Sequence, residues 1–64
     1  MQRQYDFITT QAKAGYTILA YDRRIPKCRV RKITARNLNR VSMVCDVLHI
    51  DGENAKGWTV CRKN

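Results

Sequence analysis

Apolar and polar residues recur along this chain with two different periods, and the switch between them divides it into elements. Over residues 4–14, QYDFITTQAKA, the residues Tyr5, Ile8 and Ala12 fall at i, i+3 and i+7. Phe7 and Ala14 widen that stripe, so the spacing predicts a short helix. Gly15 follows where a left-handed residue closes a helix, and Lys13 places positive charge in the last turn, where it is favoured. Thr9 and Thr10 act against the helix, because β-branched side chains lose rotamer freedom there.

Beyond Gly15 the period falls towards two. YTILAYD (16–22) is rich in β-branched and aromatic residues and apolar on both faces, as in a strand covered on both sides. Pro26 cannot donate to a ladder, so a turn or open loop is expected near 22–26. KCRVRKITA (27–35) resumes as a strand, with Cys28 and Val30 on one face and Lys27, Arg29 and Arg31 on the other. Ile33 has the parity of Arg31, which calls for a bulge or the end of regular pairing near Lys32.

The run that follows has two readings. Leu38, Val41, Val44, Cys45 and Leu48 have helical spacing with Thr34 as a cap, giving a helix from about 35 to 49. Val41, Met43, Cys45 and Val47 also alternate with their neighbours, and the β-branched content favours a strand over 41–50 after an Asn-containing turn at 36–40. DGENAKG (51–57) is a loop opened by Asp-Gly, and it joins this strand to a last one at 58–63 as a hairpin.

The sum is one α+β domain, mainly β: an N-terminal helix followed by a small twisted antiparallel sheet of about four strands. The order of elements resembles small SH3-like barrels over residues 15–63. That resemblance rests on pattern alone and implies no function. A chain of 64 residues sits near the lower size limit for independent folding, so a monomer and a homodimer are both compatible with it.

Charge changes the picture more than composition does. Thirteen Lys and Arg against five Asp and Glu give a net charge of +8, a balance that favours polyanions and acidic protein surfaces. Between residues 23 and 40 stand Arg23, Arg24, Lys27, Arg29, Arg31, Lys32, Arg36 and Arg40, with no acid among them. On a strand, Lys27, Arg29 and Arg31 would form a row spaced about 6.6 Å apart, able to follow a phosphate backbone. Guanidinium forks suit phosphate oxygens better than point charges do. The competing explanation is edge protection, since a charged edge strand resists pairing with other molecules. One or two lysines would suffice for that.

Among the aromatics, Tyr21 beside Arg23 and Arg24 is a candidate stacking platform for a base, whereas Trp58, Phe7 and Tyr16 are expected in the core. The three cysteines, Cys28, Cys45 and Cys61, stand far apart in sequence and are expected to be reduced, small buried hydrophobes. With His49 they lack the close ligand pairs of structural zinc sites, so no metal or other cofactor is expected. His49 is the only histidine and has no evident acid–base partner; the carboxylates Asp46, Asp51 and Glu53 show no paired spacing. A non-enzymatic role follows. No stretch has the character of a secretory signal or a membrane span, and a cytoplasmic protein is expected. The partner expected from these residues is the backbone of DNA or RNA, with an acidic protein surface as the alternative.

Overall fold

In the computed structural model, residues 3–25, 27, 29–54 and 57–63 are described. Pro26 and Cys28, assigned above to a strand break and an inward face, lie outside them. The α+β, mainly β class read from the pattern is the observed one. Helix α1 (Arg3–Lys13) precedes β1 (Ile18–Asp22) and β2 (Arg31–Ile33). A 3-10 helix (Ala35–Arg40) then leads into β3 (Val41–Val44), β4 (Val47–Ile50), β5 (Glu53–Asn54) and β6 (Trp58–Arg62). Two antiparallel three-stranded sheets result, ordered β2-β1-β6 and β3-β4-β5.

α1 ends as its glycine predicts. Gly15 has φ 102°, its N–H donates to Ala12 O, and Tyr16 N–H donates to Gln11 O. These two bonds are the paired closure that a left-handed residue makes possible at a helix end. Ile8 and Ala12 face inward from α1. They meet Ile18, Ala20, Ile33 and Trp58 of the first sheet and Val41, Leu48 and Ile50 of the second, all buried. Both sheets therefore share one core that the helix helps to cover.

The 35–50 segment contains part of each of its two readings. The helical spacing is realised only as the 3-10 helix, where Thr34 N–H donates to Asn37 Oδ1 at 2.6 Å. The expected continuous strand over 41–50 is folded back on itself, pairing Val41 with Ile50 and Val44 with Val47. Cys45 and Asp46 make that turn with φ of 51° and 62°. Positive φ at both central residues is the type I′ geometry that matches strand twist, and it normally recruits Asn-Gly or Asp-Gly. Cys-Asp carries almost no such signal.

The hairpin expected between 41–50 and 58–63 is also absent. Asp51 and Gly52, with φ of 55° and 78°, form a tight turn that pairs Ile50 with Glu53 at once. β6 instead pairs with β1 along its whole length, Ile18 opposite Arg62 and Asp22 opposite Trp58. This places Trp58 over the core, where it is 4% exposed. Cys45 and Cys61 are exposed free thiols rather than buried ones, because one sits at a turn and the other on the outer side of an edge strand. Phe7 and Tyr16, expected inside, are 37% and 45% exposed. Tyr16 lies at the helix-to-strand junction with the Arg62 guanidinium 4.3 Å from its ring centroid.

The left-handed turn predicts a gain. A non-glycine residue in that region costs about 1–2 kcal/mol, and Asn tolerates it better than Cys. Cys45→Asn should therefore stabilise the fold by up to about 1 kcal/mol, raising Tm by roughly 4–8 °C per kcal/mol for a domain of this size. Thermal unfolding followed by circular dichroism checks this; an unchanged or lower Tm contradicts the turn assignment.

Candidate nucleic-acid interface

The β1–β2 connection carries most of the charge, and its shape begins with Asp22. The Asp22 carboxylate receives Arg24 N–H and Arg24 Nε, each at 3.0 Å, and Arg24 Nη2 at 2.7 Å. Ile25 N–H donates to Asp22 O, closing a turn over 22–25. Gly57 makes this possible, since a Cβ there would fall inside the Asp22 carboxylate and the Arg24 side chain. The strand expected over 27–35 pairs with β1 only from Arg31 onward, opposite Ala20. Lys27 lies in a turn at φ 58°, Arg29 and Val30 run extended, and β2 begins only at Arg31.

The expected row of Lys27, Arg29 and Arg31 is not formed, and Arg31 belongs to the interior side. Its side chain is only 11% exposed. Arg31 Nη2 donates to Glu53 Oε2 at 2.8 Å, while Nε approaches Asp51 Oδ2 at 3.3 Å as an ion pair lacking hydrogen-bond alignment. The same guanidinium lies 4.8 Å from the Trp58 ring centroid. Arg40 holds Asp51 through two bonds, Nε to Oδ1 at 2.5 Å and Nη2 to Oδ2 at 2.6 Å. Three of the eight cations, Arg24, Arg31 and Arg40, are thus committed to carboxylates. No acid stands within 23–40, but Asp22 flanks that window in sequence, and folding brings Asp51 and Glu53 to it.

The other five are exposed and carry no ion pair among the described residues: Arg23, Lys27 and Arg29 in the connection, Lys32 on β2, and Arg36 in the 3-10 helix. Lys32 alternates with Arg31 and Ile33, so it projects from the opposite side of β2. Tyr21 is half-buried on β1, on the side away from Ala20 and Asp22, opposite Thr59. One further cation was not legible beforehand. Arg3, at the start of α1, lines a cleft of about 360 Å³ together with Arg23. No local motif links residues so far apart in sequence.

The remaining candidates show no catalytic grouping. His49 is half-buried on β4, with Nδ1 3.1 Å from Val47 O. Cys45 and Cys61 stand on different sheets, and among the described residues no three His, Cys, Asp or Glu side chains gather as metal ligands would. Nor is any described helix long and apolar enough to cross a membrane. Comparison with known proteins finds no matching family model, no similar curated protein and no similar solved structure.

The ion pairs set an acid dependence. Hydrogen bonds from Arg24, reinforced by its charge and that of Arg31, hold the Asp22 carboxyl down from 3.8 to about 2. Asp51 is lowered as well, first by the Arg40 hydrogen bonds and then by the charges of Arg40, Arg31 and Arg29. A carboxyl depressed in the folded state stabilises it above the unfolded pKa, and that contribution is lost as pH falls through the folded value. Stability should accordingly hold near neutrality and decline between about pH 4 and pH 2. Urea titrations at pH 7 and pH 2.5 measure this, and Asp22→Asn should flatten the decline while lowering stability at pH 7. Equal midpoints at the two pH values for the unaltered protein contradict it.

Asp51→Asn gives a complementary test, because Asn keeps the left-handed turn while removing the charge. It should weaken the fold and release Arg40, whose carboxylate partner it is, while Arg31 keeps Glu53. Should the surface bind a duplex, a released Arg40 that reaches a phosphate steepens the salt dependence by about 0.9. Unchanged stability together with unchanged salt dependence contradicts the pairing.

Proposed function

We propose that this protein is a small non-enzymatic module that binds nucleic acid, mostly through phosphate contacts with weak sequence specificity. The observation that carries this reading is the set of five exposed cations, Arg23, Lys27, Arg29, Lys32 and Arg36, within fourteen residues and with no ion pair among the described residues. Their unpaired state is informative. Charges that served only to hold the fold would have partners, as Arg24, Arg31 and Arg40 do. Arg24 and Arg40, held by Asp22 and Asp51, are not counted among the contacts. Arg31 is the least accessible of the eight. Tyr21 offers part of a ring for stacking.

If all five reach phosphates, log K against log salt falls with a slope of about −4.5 on duplex DNA and about −3.5 on a single strand. Replacing Lys27 and Arg29 together by Ala should reduce the duplex slope to about −2.7, at 0.9 per cation. Fluorescence anisotropy across a salt series reads both values. A flat response, or no binding at low salt, removes the proposal.

One observation favours a second reading. Ile25 and Val30 are 53% and 49% exposed, set among Arg23, Arg24, Lys27 and Arg29. Apolar anchors inside a charged surface are what a protein interface uses. In this reading the loop docks on an acidic site of another protein and regulates it. Replacing Ile25 and Val30 by Ser leaves every charge in place, so nucleic-acid affinity is retained under the first reading and stoichiometric recovery of a protein from nuclease-treated lysate is lost under the second. The exposed free thiols of Cys45 and Cys61 support a reducing, cytoplasmic setting for either.

A further inference from the structure

The cleft between α1 and β6 has features that the phosphate-contact reading does not use. Its helix side is Arg3, Gln4 and Phe7; its other side is Arg23 and the start of β6, from Trp58 to Val60. At about 360 Å³ it lies at the small end of the range for ligand pockets, about 300–1,000 Å³. Arg3 and Arg23 make no ion pair among the described residues, so the cleft carries two uncompensated positive charges. Phe7 supplies an aromatic surface that the core leaves partly open, at 37% exposure.

The register of β6 adds polar groups. Arg23 N–H donates to Gly57 O and Lys63 N–H donates to Thr17 O. In an antiparallel pair, hydrogen-bonded and non-bonded positions alternate. The residues Thr59 and Cys61 therefore turn their backbone groups towards β1, while Trp58, Val60 and Arg62 turn theirs to the free edge. Gln4 Nε2 donates to Trp58 O at 2.6 Å, as that geometry requires. Among the described residues no strand lies beyond the Val60 N–H and C=O, since β6 is the outer strand of its sheet. The buried Trp58 indole N–H likewise has no hydrogen-bond partner among the described residues.

We infer that this cleft seats a single unstacked nucleotide, its phosphate between Arg3 and Arg23 and its base against Phe7, and that the protein consequently prefers single-stranded nucleic acid to duplex. Two cations flanking an exposed ring, beside open backbone donor and acceptor groups, match a unit that has an anion at one end and a flat, hydrogen-bonding ring at the other. A base paired within a duplex cannot present its face to Phe7. An acidic peptide side chain would satisfy the arginines but leave the ring unused. This inference rests on the nucleic-acid reading and assigns its preferred form.

The test compares a thymidine pentamer with a hairpin duplex long enough to stay fully paired, at equal salt. Trp58 is the only tryptophan and lines the cleft, so its emission reports occupancy directly. The unaltered protein should bind the pentamer more tightly and show a Trp58 response to it. Phe7→Ala should weaken pentamer binding by about 5- to 150-fold, the loss expected for one stacked base, with duplex affinity unchanged. Arg3→Gln, at the exposed start of α1, should lower the single-strand salt slope by about 0.7 and remains informative should the Phe7 variant unfold. Equal losses on both ligands, or no loss on either, overturn the cleft assignment while leaving the phosphate-contact reading standing. Failure of the unaltered protein to bind either ligand overturns both. A titration with an Asp-Glu peptide that moves Trp58 emission while the pentamer does not would assign the cleft to an acidic protein segment instead.

Discussion

Asp51 stands between two arginines, and that contact ties the two sheets together at the rim of their shared core. Arg31 comes from the edge of the first sheet, Arg40 from the residue before β3, and Asp51 from the turn joining β4 to β5. The ladder of the second sheet continues into the same place, because Asp51 N–H donates to Arg40 O at 2.8 Å. Glu53 adds a second carboxylate on Arg31, and the Trp58 ring provides a flat surface beneath the guanidinium. Only an arginine can serve there, since it combines a planar stacking face with several donors and a stem able to cross apolar surface. An isolated, exposed ion pair would contribute little. A guanidinium withdrawn from water is different: with both carboxylates it is compensated, and without them a largely desolvated charge would remain between the sheets.

That constraint divides the basic segment. Cations near the seam between the sheets are drawn into structural pairs, while those in the β1–β2 connection, on the outer side of β2 and in the 3-10 helix stay in water. The set of solvent-facing cations is therefore smaller than the run of Lys and Arg implies, and differently placed. It includes Arg3, which folding brings to Arg23 across the cleft. Stability and binding are coupled through the same acids: each carboxylate that holds the fold together also removes a cation from the surface.

Much of the fold was legible in the sequence because its cause was local. The i, i+3, i+7 stripe ending in Gly15 marks α1, and the density of β-branched residues marks β1. The two-residue turn at Cys45–Asp46 was not legible, because its left-handed backbone is imposed by the strands on either side rather than requested by Asn or Gly. The pairing of β6 with β1 was hidden for another reason. Asp-Gly announces a turn but not which strand will follow it, and the long-range choice is made by burying Trp58 opposite Asp22. For the basic segment, the sequence supplies the cations but not their neighbours. Asp51 and Glu53 lie far outside the window, so their capture of Arg31 and Arg40 could not be read from spacing, whereas Asp22 stands only two residues before Arg24. The exposure of Phe7 belongs with these cases, since a helical aromatic is ordinarily assigned to the core.

The central claim is this partition of the basic segment into structural and available cations, and side-chain NMR of the arginine Nε–Hε groups tests it most directly. Arg24, Arg31 and Arg40 should exchange slowly with water and keep their shifts when an oligonucleotide is added at low salt, whereas Arg23, Arg29 and Arg36 should exchange fast and move. Uniform exchange across all six, or shifts confined to Arg24, Arg31 and Arg40, would contradict the account.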